Sequence, residues 1–210
     1  MRKPKALIFD LDGVVVTTEH NHFLAWKRTA DQLGINFTEK ENEALKGLSR
    51  VDSLRKILEM GAKQIEENYF EELLVEKNNF YKASIAELDR SACLPGVLDL
   101  LAKARQIGVP MAVGSSSRNA KFILERLNLL DYFEMIVDGN MVDRPKPHPE
   151  VFLQAADAMK VAPNESIVFE DAESGIKAAK AGGFYAIAVG NPNIAALADE
   201  YLESLEEFKI

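Results

Sequence analysis

Asp10 and Asp12, with Gly13 behind them, follow directly on the apolar run Ala6-Leu7-Ile8-Phe9. Two residues apart in an extended or tightly turning segment, both carboxylates can aim into one crevice, and Gly13 frees the turn. Further polar clusters come later in the chain: Ser115-Ser116-Ser117 with Arg118 and Asn119, Arg144-Pro145-Lys146-Pro147, and Glu170-Asp171. Taken singly, each has a plain structural reading: a turn, a helix N-cap, a solvated loop lysine, an acidic pair at a helix start. Taken together they close a chemistry. Asp10, Asp12, Glu170 and Asp171 would repel one another if they converged without a cation. A hard ion such as Mg²⁺ suits oxygen ligands, keeps waters and is often completed by phosphate. Lys146 adds a point positive charge, and Ser115 with backbone N–H groups at a helix start can hold phosphoryl oxygens. One carboxylate is then left to act as nucleophile, giving an aspartyl phosphate, while another moves the proton. That is phosphoryl transfer, which asks mainly for positioning and charge neutralisation.

Such residues meet if they sit at the carboxyl ends of neighbouring parallel strands. Besides Ala6–Phe9, short apolar runs at 110–113, 133–137, 167–169 and 185–189 predict strands buried on both faces. Helical stripes lie between them: Val97, Leu98, Leu101 and Ala104; Phe122, Ile123, Leu127 and Leu130; Val151, Phe152, Ala155, Ala156 and Met159. A small-residue segment carries Ile176, Ala179 and Ala181 and ends at Gly182-Gly183. The alternation predicts an α/β fold, a parallel sheet with helices on both faces. Residues 17–92 do not alternate. Phe23, Trp26, Ala30 and Leu33, then Leu54, Ile57 and Leu58, then Ile65, Tyr69, Leu73, Lys77 and Phe80 recur at helical spacing. This segment reads as a helical cap inserted into a core made of 1–16 and 93–210.

The length agrees, since 210 residues exceed by roughly 0.4 of a domain the ~150 expected of one. Lys and Arg number 25 against 33 Asp and Glu, a net charge of −8 that argues against a nucleic-acid partner. Hydrophobic residues at 47% and charged residues at 28% describe an ordinary soluble globular protein. The single cysteine, Cys93, excludes an internal disulfide framework and suits a reducing cytoplasm. Arg2 and Lys3 ahead of an apolar stretch superficially suggest a leader, but Asp10 and Asp12 interrupt it. No run reaches the ~18–20 apolar residues of a membrane span, so a cytoplasmic protein without a membrane partner is expected.

These clusters, in this order, resemble the motifs of the haloacid dehalogenase-like superfamily of aspartyl-phosphate phosphotransferases. The resemblance implies a Rossmann-like core with an inserted helical cap. It implies Asp10 as nucleophile, Asp12 as general acid/base, and Ser115 and Lys146 as phosphate ligands. It also implies Mg²⁺ held by Asp10, the Asp12 backbone carbonyl, Glu170 and Asp171. In the cap, Thr18, His22, Trp26, the run Leu45-Lys46-Gly47-Leu48-Ser49-Arg50 with Asp52-Ser53-Leu54, and Glu76-Lys77-Asn78 resemble the β-phosphoglucomutases of that superfamily, as does Leu94-Pro95-Gly96. Those enzymes convert β-glucose 1-phosphate to glucose 6-phosphate through β-glucose 1,6-bisphosphate, so phosphorylated hexoses are the partners implied, acting on a monomer. Arg50 with Ser117, Arg118 and Asn119 would hold the sugar's distal phosphate, a task suited to a guanidinium fork. Thr18, His22, Lys46 and Lys77 would contact sugar or assist closure, with Gly47, Ser49, Ser53 and Ser116 completing the substrate-binding set. His22 also reads as a packing residue, and Trp26 reads better as cap core than as a sugar platform.

The same scaffold also suits a sugar phosphatase that hands the phosphoryl group to water. A receiver-type phospho-aspartate module is a third reading, against which the helical insertion and the second phosphate-binding set argue. Arg118 stands where the family pattern has Lys. The stretch after Asn191 matches poorly and receives no role, and the bonds preceding Pro145 and Pro147 are candidates for the cis isomer.

Overall fold

The computed structural model describes residues 4–210, so Arg2 and Lys3 lie outside it. The chain forms two compact units: one from the residues up to Thr17 together with Leu88–Ile210, the other from Thr18–Glu87.

The first unit is built on a parallel sheet of six strands in the order β3-β2-β1-β4-β5-β6. They are β1 (Ala6–Phe9), β2 (Met111–Gly114), β3 (Met135–Val137), β4 (Ser166–Glu170), β5 (Tyr185–Val189) and β6 (Glu200–Leu202). Every side chain of β1, β2 and β4 is buried, as strands covered on both faces require. Helices α5 (Val97–Gln106), α6 (Ala120–Arg126), α7 (Glu150–Ala158) and α8 (Glu173–Ala181) connect them. One core cluster joins Ile8, Ala112, Val137, Phe152, Val168, Ile176 and Phe184. The fold is the α/β, Rossmann-like architecture expected.

The register fixes the site. Leu7 pairs with Met111 on one side and Ile167 on the other, and Phe9 lies opposite Val113 and Phe169. Strand order runs outward in both directions from β1 and β4, so the topological switch, where open α/β sheets bind ligands, falls between them. Because Phe9 is level with Phe169, the next residues, Asp10 and Glu170, reach the crevice together.

Several local expectations need correction. In α5 the buried stripe is Val97, Leu100, Leu101 and Ala104, and Leu98 is 37% exposed. In α6, Leu124 takes the inward position expected of Phe122. Ala181, at the end of α8, is exposed, because the helix stops there and its small-residue stripe is carried by Ala178 and Ala179. The stretch after Asn191 also holds an element. β6 pairs in parallel with β5, Ile187 to Glu200 and Val189 to Leu202. It is anchored by Asp199, whose carboxylate accepts the Ala186 N–H at 2.8 Å while its own N–H donates to the Ala186 carbonyl at 2.9 Å.

The second unit is helical: α1 (Glu19–Gln32), α2 (Glu39–Glu43), α3 (Arg50–Met60) and α4 (Glu67–Ser84). Trp26, Ala30, Phe37, Leu54, Ile57, Phe70 and Leu73 are among its core residues. The inward stripe of α4 is Phe70, Leu73, Leu74, Lys77 and Tyr81; Tyr69 is 40% exposed and Ile65 precedes the helix. The first unit resumes at Leu88, ahead of the expected residue 93, because Arg90 already belongs to it. Its guanidinium donates to the carbonyls of Leu127 and Asn128 at 3.2 and 2.7 Å. The Lys146–Pro147 bond is the cis one. Among the described residues no helix is long and apolar enough to cross a membrane.

Candidate active site

Asp10 follows the last residue of β1 and Glu170 ends β4, and both are buried. Between them stands the Lys146 ammonium, 2.5 Å from Asp10 Oδ1 and 2.6 Å from Glu170 Oε1. The second Glu170 oxygen accepts the Ala172 N–H at 2.8 Å, which holds the carboxylate at the turn into α8. Burial alone would discharge Lys146, but Asp10 and Glu170 outweigh it and raise the ammonium above its ordinary range. Burial also pushes Asp10 up to about 7, against the pull of Lys146 and with repulsion from Glu170 and Asp12 adding to it.

The turn after β1 brings in the remaining acids. Gly13 has φ +86°, a left-handed backbone that glycine adopts without strain, and its N–H donates to the Val16 carbonyl at 2.8 Å. A Cβ there would lie 2.1 Å from Asp171 Oδ2, so the Asp171 carboxylate lies directly against this turn. Similarly, a Cβ on Gly175 would lie 1.7 Å from Glu170 Oε1, so α8 can pass over Glu170 only with a glycine at that position. The Asn191 amide donates to the Asp171 carbonyl at 2.9 Å.

After β2, Ser115 is buried, and its N–H donates to the Val137 carbonyl at 2.9 Å. Its Oγ accepts the Ser117 N–H at 3.1 Å, and Ser117 Oγ accepts the Asn119 N–H at 3.2 Å. These two serine turns carry the chain through Ser116 and Arg118 into α6. Asn140 donates to the Arg118 carbonyl at 3.1 Å, pinning the same loop.

Asp10, Asp12, Glu170 and Asp171 are hard oxygen ligands, and Lys146 balances only part of their charge. Burial is the main reason the Asp10 carboxyl is raised, and repulsion from Glu170 and Asp12 adds to it. A divalent cation would relieve it, so the residues fit Mg²⁺. Among the described residues, no group of three or more His, Cys, Asp and Glu side chains is gathered as a metal centre.

The helical unit gathers its predicted residues differently. Lys77 is buried on α4, donating to His22 Nδ1 at 2.8 Å with its ammonium 4.5 Å from the Trp26 ring and 4.7 Å from the Tyr81 ring. The His22 ring lies 4.0 Å from Tyr81, whose hydroxyl meets Thr18 Oγ1 at 2.7 Å. Trp26 is 3% exposed and packs in the core of this unit. Ser49 caps α3, accepting the Asp52 N–H at 3.1 Å and donating to Asp52 Oδ2 at 2.5 Å, and Arg50 is the first residue of that helix. Ser53 is buried, with its N–H on the Ser49 carbonyl at 2.9 Å. Gly47 takes φ +73° just before it. Lys46 is paired with Glu19 and Glu43, each at 3.0 Å. Burial by itself lowers Lys46, but these two carboxylates outweigh it and hold the ammonium up. Tyr81, four residues beyond Lys77 on the same helix face, and Glu19 are partners of these side chains that the sequence does not single out.

The motif order and the strand-end geometry agree with a known family, whose model, haloacid dehalogenase-like hydrolase, matches residues 4–183. The chain belongs to the haloacid dehalogenase-like hydrolase family. It is 43% identical over 188 residues to the β-phosphoglucomutase of Bacillus subtilis, covering 89% of this chain and 83% of that one. It is 33% identical over 182 residues to a phosphorylated carbohydrates phosphatase of Thermotoga maritima, covering 85% and 82%. The crystal structure of a β-phosphoglucomutase from Clostridium difficile superposes with a TM-score of 0.95 at 36% identity, covering 99% of this chain and 94% of that one. Within the family this chain is an enzyme of the β-phosphoglucomutase type, with phosphatases among its relatives.

Proposed function

We propose that this enzyme interconverts β-D-glucose 1-phosphate and D-glucose 6-phosphate, through an aspartyl phosphate on Asp10 and β-glucose 1,6-bisphosphate, with Mg²⁺. The observation that carries the reading is the 43% identity to the Bacillus subtilis mutase, together with Asp10 and Glu170 held on one lysine at the sheet's switch point.

In this reading Asp10 attacks a phosphorus of β-glucose 1,6-bisphosphate and becomes phosphorylated as the P–O bond to the sugar breaks, Asp12 giving the departing sugar oxygen a proton, while Lys146 and Ser115 hold the phosphoryl oxygens. The 6-hydroxyl of β-glucose 1-phosphate then takes the group from Asp10, with Asp12 accepting the hydroxyl proton. The bisphosphate, turned round, returns its 1-phosphoryl group to Asp10, and Asp12 gives the proton to the departing sugar oxygen. Asp10, the Asp12 carbonyl, Glu170 and Asp171 would hold the metal. When bound, it supplies neutralising charge for the phosphoryl oxygens. For the distal phosphate we assign Arg50 of the helical unit and Ser117, Arg118 and Asn119 of the other. Thr18, His22, Lys46 and Lys77 shape the sugar side of the helical unit, with Lys46 exchanging its carboxylate partners for substrate.

A sugar phosphatase is the second reading, favoured by the similarity to the Thermotoga maritima phosphatase. The two differ in where the phosphoryl group goes. Phosphorylated enzyme is mixed with buffer alone or with β-glucose 1-phosphate, and discharge is followed. The mutase reading expects slow discharge to water and fast discharge to the sugar phosphate; rapid discharge to water alone would replace it with the phosphatase.

A further inference from the structure

Phe152 reads in the sequence as one apolar residue of the α7 stripe, yet its buried ring touches both phosphate-handling elements. The Lys146 ammonium stands 4.6 Å from the ring centroid. The ring also meets Gly114, the residue before Ser115, where a Cβ would come within 2.7 Å of Phe152 Cδ1 and 2.9 Å of Cε1. One ring therefore touches both the strand end that presents Ser115 and the ammonium of Lys146.

We propose that Phe152 is a positioning residue for phosphoryl transfer, its π face holding the Lys146 ammonium on line and its edge setting the end of β2. The inference rests on the reading of Lys146 and Ser115 as phosphate ligands. Lysine is a compact charge on a flexible stem and needs orienting. One of its two anionic anchors does not last through the reaction, because Asp10 loses its free carboxylate once phosphorylated, while Glu170 keeps its own. The negative face of an aromatic ring keeps attracting the cation in every state, and in a desolvated site that attraction is at its strongest. It also adds no anion beside an incoming phosphate, as a third carboxylate would. The absence of a side chain on Gly114 leaves the ring room to reach both partners.

The test replaces Phe152 site-specifically with 4-fluoro-, 3,5-difluoro- and 3,4,5-trifluorophenylalanine, which keep the ring's shape while draining its negative face. Each Mg²⁺-loaded protein is assayed for kcat and KM on β-glucose 1-phosphate with a trace of bisphosphate. Inorganic phosphate is titrated calorimetrically, and Tm is recorded. The expected result is a stepwise fall in kcat/KM with each added fluorine, to roughly three- to tenfold for the trifluoro protein, with phosphate affinity weakening in the same order and Tm holding. Rates and phosphate affinity that stay flat along the series would overturn the inference and leave Phe152 as packing. If the unsubstituted enzyme converts no sugar phosphate, the proposed function fails, while the phosphate titration still decides the role of Phe152.

Discussion

Asp10 and Glu170 are buried carboxylates sharing one ammonium, so each is costly to keep without Lys146. Replacing the lysine by an apolar isostere leaves two buried carboxyl groups without their cation, and breaking a buried pair this way costs about 3–5 kcal/mol. Lys146→Met should therefore lower unfolding free energy in urea by that order. The pH dependence has a definite sign. Asp10 already lies at about 7 in the folded protein, above its value in an unfolded chain, and losing Lys146 removes the influence that holds it down. A carboxyl raised on folding stabilises at low pH and loses that contribution as pH rises through the folded value. The variant's deficit should be larger at pH 8 than at pH 6, and an equal deficit would contradict the assigned charge state. Arg50 is a different kind of residue, placed first in α3 and assigned to the distal phosphate. Arg50→Ala should weaken sugar bisphosphate binding about ten- to a hundredfold, the worth of charge-assisted bonds to phosphate. Formation of phosphoenzyme should change much less, and equal losses in both would remove Arg50 from that role.

At the level of elements, the turn into α8 places the acid pair, and glycine makes it possible. Gly175→Ala would drive a methyl group into Glu170 Oε1, displacing the oxygen bound to Lys146. We expect at least a tenfold loss of Mg²⁺-dependent turnover with the helix retained, read by activity and circular dichroism; full activity would mean that Glu170 needs no fixed position. The edge of the sheet relies on Asp199, whose carboxylate replaces a strand carbonyl in accepting the Ala186 N–H and also pairs with Lys180. Its burial opposes ionisation, but the bonds from Lys180 and Ala186 outweigh it and hold the carboxyl below its ordinary range. Asp199→Ala should cost about 1–3 kcal/mol at pH 7, as a satisfied backbone donor is orphaned. Because the carboxyl is depressed on folding, the difference should shrink as pH falls below ~4, where the wild-type contribution is itself lost.

That edge also shows what the sequence could and could not convey. β1, β2 and β4 were legible because strands buried on both faces are continuous apolar runs. β6 was not, since only Leu202 of its three residues is buried and its place depends on an aspartate outside the strand. Asp10, Lys146 and Glu170 stand out in the sequence because charges in the segments after strands are conspicuous, and the structure brings the three together. Phe152 and Tyr81 were hidden because an aromatic at helical spacing reads as core, and only the structure adds that one faces Lys146 and the other bonds Thr18.

For the whole molecule, a net charge of −8 coexists with a reading in which the ligand is a phosphate. The excess argues against a polyanionic partner, while Lys46, Arg50, Arg118 and Lys146 supply positive charge locally and the acid cluster calls for Mg²⁺. The chain divides into two units, and in the proposed reading the first carries the phosphoryl chemistry while residues of both recognise the sugar phosphate. Mutase activity needs a sugar held as acceptor, where hydrolysis needs water. The most direct test is a coupled assay for glucose 6-phosphate with Mg²⁺ and a trace of glucose 1,6-bisphosphate, run on α- and β-glucose 1-phosphate side by side. The expected result is turnover of the β anomer, with little from the α anomer and little free phosphate. Free phosphate released from either anomer without glucose 6-phosphate would contradict it.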